Sequence, residues 1–301
     1  MRHIFIIVFT LVIFSCKEKE KQVKIEESEP VVSTVSPEEV FLKEALTLYS
    51  SFDNGVDADF AIGDKKMYST PNRKAVDSVR VGLHKEGVSI LEGKGRFGNA
   101  LEYKDKSKGY IYYQSKDNME YNTENWEGAI SFWLSLDPDK DLKPGYCDPI
   151  QITDSGYNDA GFWVDFTKEN PRDFRLGVIG DRDSWNPTPE GPDNENPDFI
   201  SQLVVVDEPG FKREAWTHIV INFIGLNTGD GKAAIYVNGE MKGLRKDIKD
   251  PFTWEIEKSN IYLGLSYIGL MDEVSIYNKH LSKEQIKALY GLENGVKGLL
   301  K

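Results

Sequence analysis

Short runs of alternating apolar and polar residues, separated by turn residues, constrain the fold of this chain more than any other feature. The run "GAISFWLSL" at 128–136 alternates Ile130 and Phe132 with Ser131 and Trp133. A period of two places alternate side chains on opposite faces of a β-strand. Similar runs recur at intervals as far as residue 277, and the turn Asn238-Gly239 is typical of a β-hairpin.

Helix signals occur near each end of the chain. "SPEEVFLKEALTLY" begins with Ser36 as the N-cap and carries Glu39 in the capping-box position, and we assign 38–50 as a short helix. "SKEQIKALYG" repeats the pattern with Ser282 and Gln285. The fold class that follows is all-β, a two-sheet antiparallel sandwich over 51–291 with short helices at its ends. Residues 292–301 are assigned as a C-terminal tail.

The first residues have the pattern of an export signal. A positive start is followed by an apolar run to Phe14, which is shorter than the ~20 residues that a membrane span needs. "IFSC" then resembles a bacterial lipobox, which predicts a lipoprotein signal peptide at 1–15 and lipidation of Cys16. The Lys-, Glu- and Ser-rich segment 16–37 is expected to be a disordered tether.

Charge and cysteine content exclude several classes of protein. The formal net charge of −12 disfavours nucleic acid and anionic membrane surfaces as partners, so membrane contact is expected through the N-terminal lipid only. The chain has two cysteines, and Cys147 is the one left after Cys16, so an intrachain disulfide is excluded in the lipidated protein. The expected location is the bacterial outer membrane or cell surface.

The order of five segments resembles a known family. These segments are "GRFGNALEY", "ISFWLSL", "AWTHIVINF", "AAIYVNGEMKG" and "GLMDEVSIYNKHLSKEQIKALY". Together they resemble the LamG-like jelly roll of the concanavalin A-like lectin/glucanase superfamily, over roughly 51–291. The resemblance implies the fold, but it leaves function open, because that superfamily includes lectins, carbohydrate-binding modules, adhesion domains, hydrolases and lyases.

The resemblance also implies a structural calcium ion. Many such jelly rolls bind calcium where the first and last strands meet, and Asp53 and Asp272 match the positions that supply carboxylates. Strict alternation in "GLMDEVSIY" would put Asp272 on the same face as Val274 and Ile276, where an ionised carboxylate needs compensation. The alternative is that Asp272 caps a loop or pairs with a basic side chain.

A second group of residues indicates a ligand site on the outer face of the sandwich. If the apolar residues of these strands face the core, the opposite face carries Gln151, Trp163, Asp165 and Arg175. An aromatic ring with forked polar side chains is typical of sugar binding. Tyr157 and Asn158 precede Trp163, and Trp185 lies in the long loop 180–198. We expect these seven residues to bind ligand, and we expect Trp163 to be exposed, so that Trp163→Ala would leave stability nearly unchanged.

Three functions remain compatible with the sequence. The first is a cell-surface lipoprotein that binds an extracellular glycan, or another surface ligand, without catalysis. The second is a polysaccharide-active hydrolase or lyase that uses acids near Asp165, although no strand carries the alternating acids that a retaining glycosidase would most easily use. The third is an adhesion or structural module without a small-molecule site. No catalytic residue is assigned.

Overall fold

The computed structural model describes residues 35–74 and 76–301, so the predicted signal peptide, Cys16 and nearly all of the tether lie outside the described residues. Two antiparallel sheets form a sandwich, as predicted. The first sheet runs in the order β15 (Glu240–Ile248), β14 (Gly231–Val237), β13 (Thr217–Leu226), β8 (Trp126–Ser135), β17 (Gly269–Tyr277), β1 (Leu46–Ser50) and β2 (Phe60–Ala61). Strand β6 (Ala100–Tyr103) also pairs with β17, and β5 (Val88–Leu91) pairs with β6.

The second sheet carries the residues that the sequence assigned to a ligand site. Its order is β12 (Val204–Val206), β11 (Phe174–Ile179), β10 (Gly161–Phe166), β9 (Cys147–Thr153), β16 (Asn260–Leu265), β7 (Tyr110–Gln114), β3 (Tyr68–Thr70) and β4 (Arg80–Val81). The hairpin turn at Asn238 and Gly239 joins β14 to β15, and both residues have positive φ, as that turn requires.

Alternating side chains from both sheets fill the space between them. Phe132 and Ile221 from the first sheet meet Phe162, Ile150 and Ile261 from the second, and all are 0% exposed. Each such side chain contributes about 1.5–3 kcal/mol relative to leaving it in water. This core fixes the strand facing, so that the residues alternating with Phe162 and Ile150 point away from it.

The helical segments are short. They are α1 (Pro37–Ala45), α2 (Pro138–Asp141), α3 (Arg182–Trp185), α4 (Pro197–Ser201) and α5 (Lys283–Gly291), with 3₁₀ turns at Val76–Ser78, Asp193–Glu195 and Val296–Leu300. Both predicted capping boxes are confirmed, with Ser36 paired to Glu39 and Ser282 paired to Gln285. In the part of the chain that the structure describes, no helix has the length and apolarity to cross a membrane.

The predicted helix at 38–50 is too long. Helix α1 ends at Ala45, and Leu46–Ser50 forms strand β1, which pairs with β17. Tertiary pairing outweighs local helix propensity here, because Leu48 enters the core between the sheets. The same pairing confirms that the first and last strands are neighbours.

The C-terminal residues are part of the fold and do not form a free tail. Val296 and Leu299 are buried, and they pack with Leu42 of α1 and Ile286 of α5 over the outer face of the first sheet. These helical segments therefore cover the first sheet. The outer face of the second sheet is covered differently, by the chain between β11 and β12.

Candidate functional site

An ordered row of side chains crosses the outer face of the second sheet. Five strands are in register so that each contributes one residue directly opposite the next. The row consists of Tyr68, Tyr112, Tyr262, Gln151 and Trp163. Tyr68 stacks on Tyr112 with ring centroids 5.7 Å apart, and Tyr112 contacts Tyr262 at 5.5 Å. The structure thus forms an aromatic platform that continues into the predicted site, although Tyr112 and Tyr262 are themselves buried, at 7% and 6% exposed.

A β-bulge brings a second carboxylate to this platform. Val164 pairs with Ile150 and Phe166 pairs with Cys147, so Asp148 and its neighbour Pro149 lie opposite the single residue Asp165. The extra residue turns Asp148 to the outer face, as bulges often do beside functional sites. The side chain of Gln151 then donates a hydrogen bond of 2.6 Å from Nε2 to Oδ2 of Asp148.

Asp165 and Arg175 lie directly opposite each other on β10 and β11 and form an ion pair. The guanidinium donates through Nε to Oδ1 at 2.9 Å and through Nη2 to Oδ2, and the ring of Tyr146 lies 5.3 Å from the guanidinium carbon. Burial raises the pKa of Asp165, and the hydrogen bonds from Arg175 oppose that shift. The fork of Arg175 is therefore already engaged with a carboxylate.

Asp148 differs from Asp165 because, within residues 35–74 and 76–301, no cationic side chain forms an ion pair with it. Burial and the nearby charge of Asp165 raise the pKa of Asp148 to about 8, with Arg73 and Arg175 opposing the shift. At neutral pH this carboxyl group is largely protonated and can donate a hydrogen bond. The two carboxyl groups thus lie side by side in different settings, Asp148 as a hydrogen-bond donor and Asp165 as the partner of Arg175.

A cavity of about 220 Å³ opens above this carboxyl pair. Its lining combines aromatic rings with charged groups, as in many sugar sites. The lining residues are Tyr146, Asp148, Tyr157, Trp163, Asp165, Arg175, Asn194 and Phe199. Four of the seven predicted ligand-binding residues lie in this lining, while Gln151 lies beside it through its bond to Asp148.

Trp163 has the predicted facing but not the predicted exposure. Its side chain lies on the outer face, yet the residue is only 2% exposed. Phe199 of α4 stacks on its indole with centroids 6.2 Å apart, and the indole lies so close over Gly177 that an added Cβ there would be 2.2 Å from the ring. The long loop covers Trp163, so the expectation of an exposed, stability-neutral tryptophan is corrected.

Asn158 and Trp185 hold the covering loop and do not line the cavity. Asn158, Arg182 and Asn186 all donate hydrogen bonds to the carboxylate of Asp193, with Arg182 Nε at 2.6 Å from Oδ2. The hydrogen bond from Arg182 lowers the pKa of Asp193, which keeps this acceptor ionised. Trp185 donates from Nε1 to the carbonyl of Asn158 at 3.1 Å and packs on Phe199.

Sequence reasoning missed Tyr146, Asp148, Asn194, Phe199 and the tyrosines of the platform. "YIYYQ" at Tyr110–Gln114 and "NIYLGL" at Asn260–Leu265 do alternate, which was a signal for outward tyrosines. The facing of Asp148 carried no such signal, since the bulge depends on pairing with β10.

The two predicted calcium ligands meet at one loop. Asp272 accepts the backbone N–H of Phe97 at 3.0 Å, and Asp53 accepts the backbone N–H of Asn99 at 2.8 Å. A Cβ on Gly98 would lie 2.0 Å from Oδ1 of Asp53, so "GRFGN" needs glycine for this close approach. The first and last strands thus present both carboxylates to residues 95–99.

The facing of Asp272 follows from a bulge in β17. The pairing of β17 with β8 shifts between Asp272 and Ser275, and Glu273 has φ of 53°. Met271 and Val274 therefore both enter the core, and the expected common face of Asp272 with Val274 is wrong. The bulge turns Asp272 towards the loop instead, where backbone N–H groups compensate its burial.

These residues only partly fit a calcium ion. Burial and the adjacent Glu273 raise the pKa of Asp272 to about 8, and a bound cation would compensate such buried carboxylates. However, Lys297 places its ammonium 3.0 Å from Asp53, and the loop contacts are N–H donors, whereas calcium prefers oxygen ligands. Among residues 35–74 and 76–301 no group of at least three His, Cys, Asp or Glu side chains is arranged to hold a metal.

Comparison with known proteins identifies the family. The Laminin_G_3 model, described as concanavalin A-like lectin/glucanases superfamily, matches residues 105–287, which is more than half of the chain. The chain belongs to the concanavalin A-like lectin/glucanase superfamily. No curated protein matches the sequence. The assignment to this superfamily therefore rests on the match to the family sequence model, and the two-sheet sandwich agrees with it.

Solved structures are similar to this superfamily member at low identity. The receptor binding domain of botulinum neurotoxin C/D mosaic serotype is 14% identical over 83% of this chain and 52% of that chain, with a TM-score of 0.52. The equivalent domain of botulinum neurotoxin D is 15% identical over 83% and 53%, with a TM-score of 0.51. This chain thus spans about half the length of those domains, and the likeness shows the fold alone.

Domain 4 of AbnA, a GH43 extracellular arabinanase from Geobacillus stearothermophilus, solved in complex with arabinotriose, is also similar. It is 19% identical over 80% of this chain and 96% of that chain, with a TM-score of 0.48.

Proposed function

We propose that this protein binds an extracellular glycan without catalysis, through the outer face of its second sheet. The observation that carries the proposal is the 220 Å³ cavity, which has the exposed ring of Tyr157 beside Asp148 and Asp165 and lies at the end of the in-register row from Tyr68 to Trp163. Aromatic faces contact the apolar side of a sugar ring, and forked polar groups bind its hydroxyls. The cavity is small enough to suit one sugar ring at the end of such a platform.

Each polar group in the cavity has a distinct role in this proposal. The protonated carboxyl of Asp148 donates to a sugar hydroxyl, and the ionised Asp165 accepts from one. Arg175 holds Asp165 in place, because its fork is bonded to that carboxylate. Tyr157 and Phe199 form the wall that the covering loop contributes.

The setting that we propose is a lipid-anchored protein at the bacterial outer membrane or cell surface. The support is the sequence pattern of the first sixteen residues, which lie outside the described structure. Metabolic labelling with a fatty acid tests it, since Cys16→Ser should abolish the label and release the protein from membranes.

A glycan array with the full chain, followed by calorimetry on the hits, tests the binding proposal. Tyr157→Ala should weaken binding at least tenfold, because it removes the aromatic contact with the sugar and a loss of about 1.4 kcal/mol in binding free energy lowers the affinity tenfold. Tyr290→Ala is the matched control, since Tyr290 is 39% exposed against 36% for Tyr157 but lies on the first sheet's side. Equal affinities for the two variants would contradict the site, and an array without any hit would favour an adhesion or structural module.

A second candidate function is cleavage of the same glycan. The observation in its favour is a pair of neighbouring carboxyl groups in different surroundings. Burial raises the pKa of Asp148 to about 8, while Asp165 is paired with Arg175, and carboxyl groups in such different settings serve acid–base catalysis in other enzymes. A reducing-sugar assay and an ultraviolet assay for unsaturated ends on each array hit separate hydrolase, lyase and binder. Activity that disappears in Asp148→Asn, with binding retained, would replace the non-catalytic proposal.

We also propose a structural calcium ion at Asp53 and Asp272. Its support is that both carboxylates reach residues 95–99, where the first and last strands meet, and that Asp272 is fully buried with no cationic side chain beside it in the described ranges. Lys297, which now contacts Asp53, would have to move away from that carboxylate. The stability experiment that tests calcium is given below.

A further inference from the structure

Arg73 stands over the middle of the tyrosine platform, at Tyr262 and next to Gln151. Its guanidinium carbon lies 4.1 Å from the ring centroid of Tyr262 and 5.1 Å from that of Tyr110. Nη2 donates to Oε1 of Gln151, whose Nε2 in turn donates to Asp148. Arg73 is therefore fixed by two rings and one amide, and it belongs to the same polar network as the cavity.

One donor of Arg73 lacks an acceptor in the described part of the chain. Its Nε is buried and has no hydrogen-bond partner among the residues that the structure describes. A buried N–H without an acceptor is unfavourable, and an ionised donor is more so, until an acceptor arrives. The planar fork of an arginine fits two oxygens of a carboxylate or a sulfate, and aromatic stacking keeps that fork in place.

Positive charge continues beyond Arg73 into a neighbouring cavity of about 480 Å³. Tyr110 lines this cavity and also contacts Arg73, so the two features are contiguous. Arg80, His84 and Lys108 are exposed in the lining, and Glu86 is the carboxylate among them. A basic group of this kind is unexpected by composition, because the chain carries a formal net charge of −12.

We infer that Arg73 and the basic cavity beside Tyr110 bind an anionic substituent of the glycan, either a carboxylate or a sulfate ester. The inference rests on the proposed function, because Arg73 is linked through Gln151 and Asp148 to the cavity that is proposed to hold a sugar ring. It goes further by naming the ligand class as an acidic polysaccharide. Surface cations alone would attract any polyanion, whereas the stacked arginine selects a group placed on the tyrosine platform.

Matched polymers test the inference with the full chain. Polygalacturonate is compared with its methyl ester, and dextran sulfate with dextran, so that each pair differs in charge and the two pairs separate carboxylate from sulfate. The wild-type protein should bind the charged member of at least one pair about tenfold more tightly. Arg73→Gln should remove most of that preference, measured as the ratio of the affinities for the charged and the neutral member of a pair. Arg96→Gln is the control, since Arg96 also stacks on aromatic rings but beside the first sheet.

A second experiment uses inorganic sulfate as the probe and does not depend on the glycan. At equal ionic strength, sulfate should raise the melting temperature of the wild-type and Arg96→Gln proteins more than chloride does. Arg73→Gln should keep only the smaller rise that sulfate gives any protein through its exclusion from the surface. The inference is overturned if Arg73→Gln keeps both the sulfate effect and the preference for charged polymer. If the inference fails in this way but neutral polymers still bind, the proposed function remains intact. If sulfate acts through Arg73 but no glycan binds, the proposed function is rejected and the inference is reduced to an anion site.

Discussion

The indole of Trp163 and the phenyl ring of Phe199 stack with their planes 23° apart, although one belongs to strand β10 and the other to a short helix in the loop that follows β11. This contact joins the sheet to its covering loop. Ile179 and the partly buried Trp185 and Leu203 extend it into a small apolar cluster on the outside of the sandwich. The candidate cavity therefore has a wall with its own hydrophobic core, and the stability of that core determines the shape of the site.

Removing Trp163 should destabilise the protein. We expect Trp163→Ala to lower the free energy of unfolding by about 3–5 kcal/mol, because it leaves a void beneath Phe199. Urea denaturation monitored by circular dichroism measures the change. Trp216→Ala, at a half-buried tryptophan outside this cluster, should cost less. An unchanged urea midpoint for Trp163→Ala would contradict the burial of this side chain.

Adding one methyl group under the indole should have a separate effect. Gly177→Ala would place Cβ 2.2 Å from the Trp163 ring, so we expect overpacking to cost about 1–3 kcal/mol and to displace the indole. A shift in tryptophan fluorescence and a lower melting temperature should accompany the change. Gly291→Ala is the control, because a Cβ there would meet nothing within 4 Å. Equal stability of the two variants would indicate that the indole does not lie over β11.

The hydrogen bonds around Asp193 should make the covering loop sensitive to acid. Arg182 lowers the pKa of Asp193, so in the acid range the unfolded chain takes up this proton before the folded protein does. This contribution to stability is complete above about pH 4, the ordinary range of aspartate, and is lost as the pH falls through the lower folded value. The protection factors of residues 181–196, corrected for the intrinsic exchange rate at each pH, should fall in acid, and Asp193→Asn should show the lower protection already at neutral pH.

Asp148 should produce the opposite pH dependence. The unfolded chain releases this proton near pH 4, whereas the folded protein holds it to about pH 8 through burial and the charge of Asp165. Stability therefore decreases as the pH rises through that window, since the folded state binds more protons. Asp148→Asn should flatten the curve of melting temperature against pH and should melt above wild type beyond pH 8. A variant with the wild-type curve would show that Asp148 ionises normally.

Calcium binding should appear as a change in stability. If Asp53 and Asp272 bind calcium, a chelator should lower the melting temperature and added calcium should restore it, because a ligand of the folded state alone stabilises by mass action. Asp272→Asn should remove the response to calcium. Asp105→Asn, at an exposed aspartate paired with Lys143, should keep it. A melting temperature that ignores chelator would reject calcium in favour of the hydrogen bonds and the Lys297 contact described here.

The sequence by itself determined the sandwich, both capped helices and the outward side of β9 to β11. These features follow from the alternation of apolar and polar residues along each strand and from capping-box residues that lie three positions apart. Contacts between distant parts of the chain do not override them. Only the tertiary structure decided the rest. Pairing between strands created the bulges that turn Asp148 and Asp272, and it ended α1 at Ala45. Phe199, in a loop more than thirty residues further along the chain, packs over Trp163 and buries it. A local sequence pattern carries no information about this contact, because the energy of the contact depends on residues that meet only in the folded state.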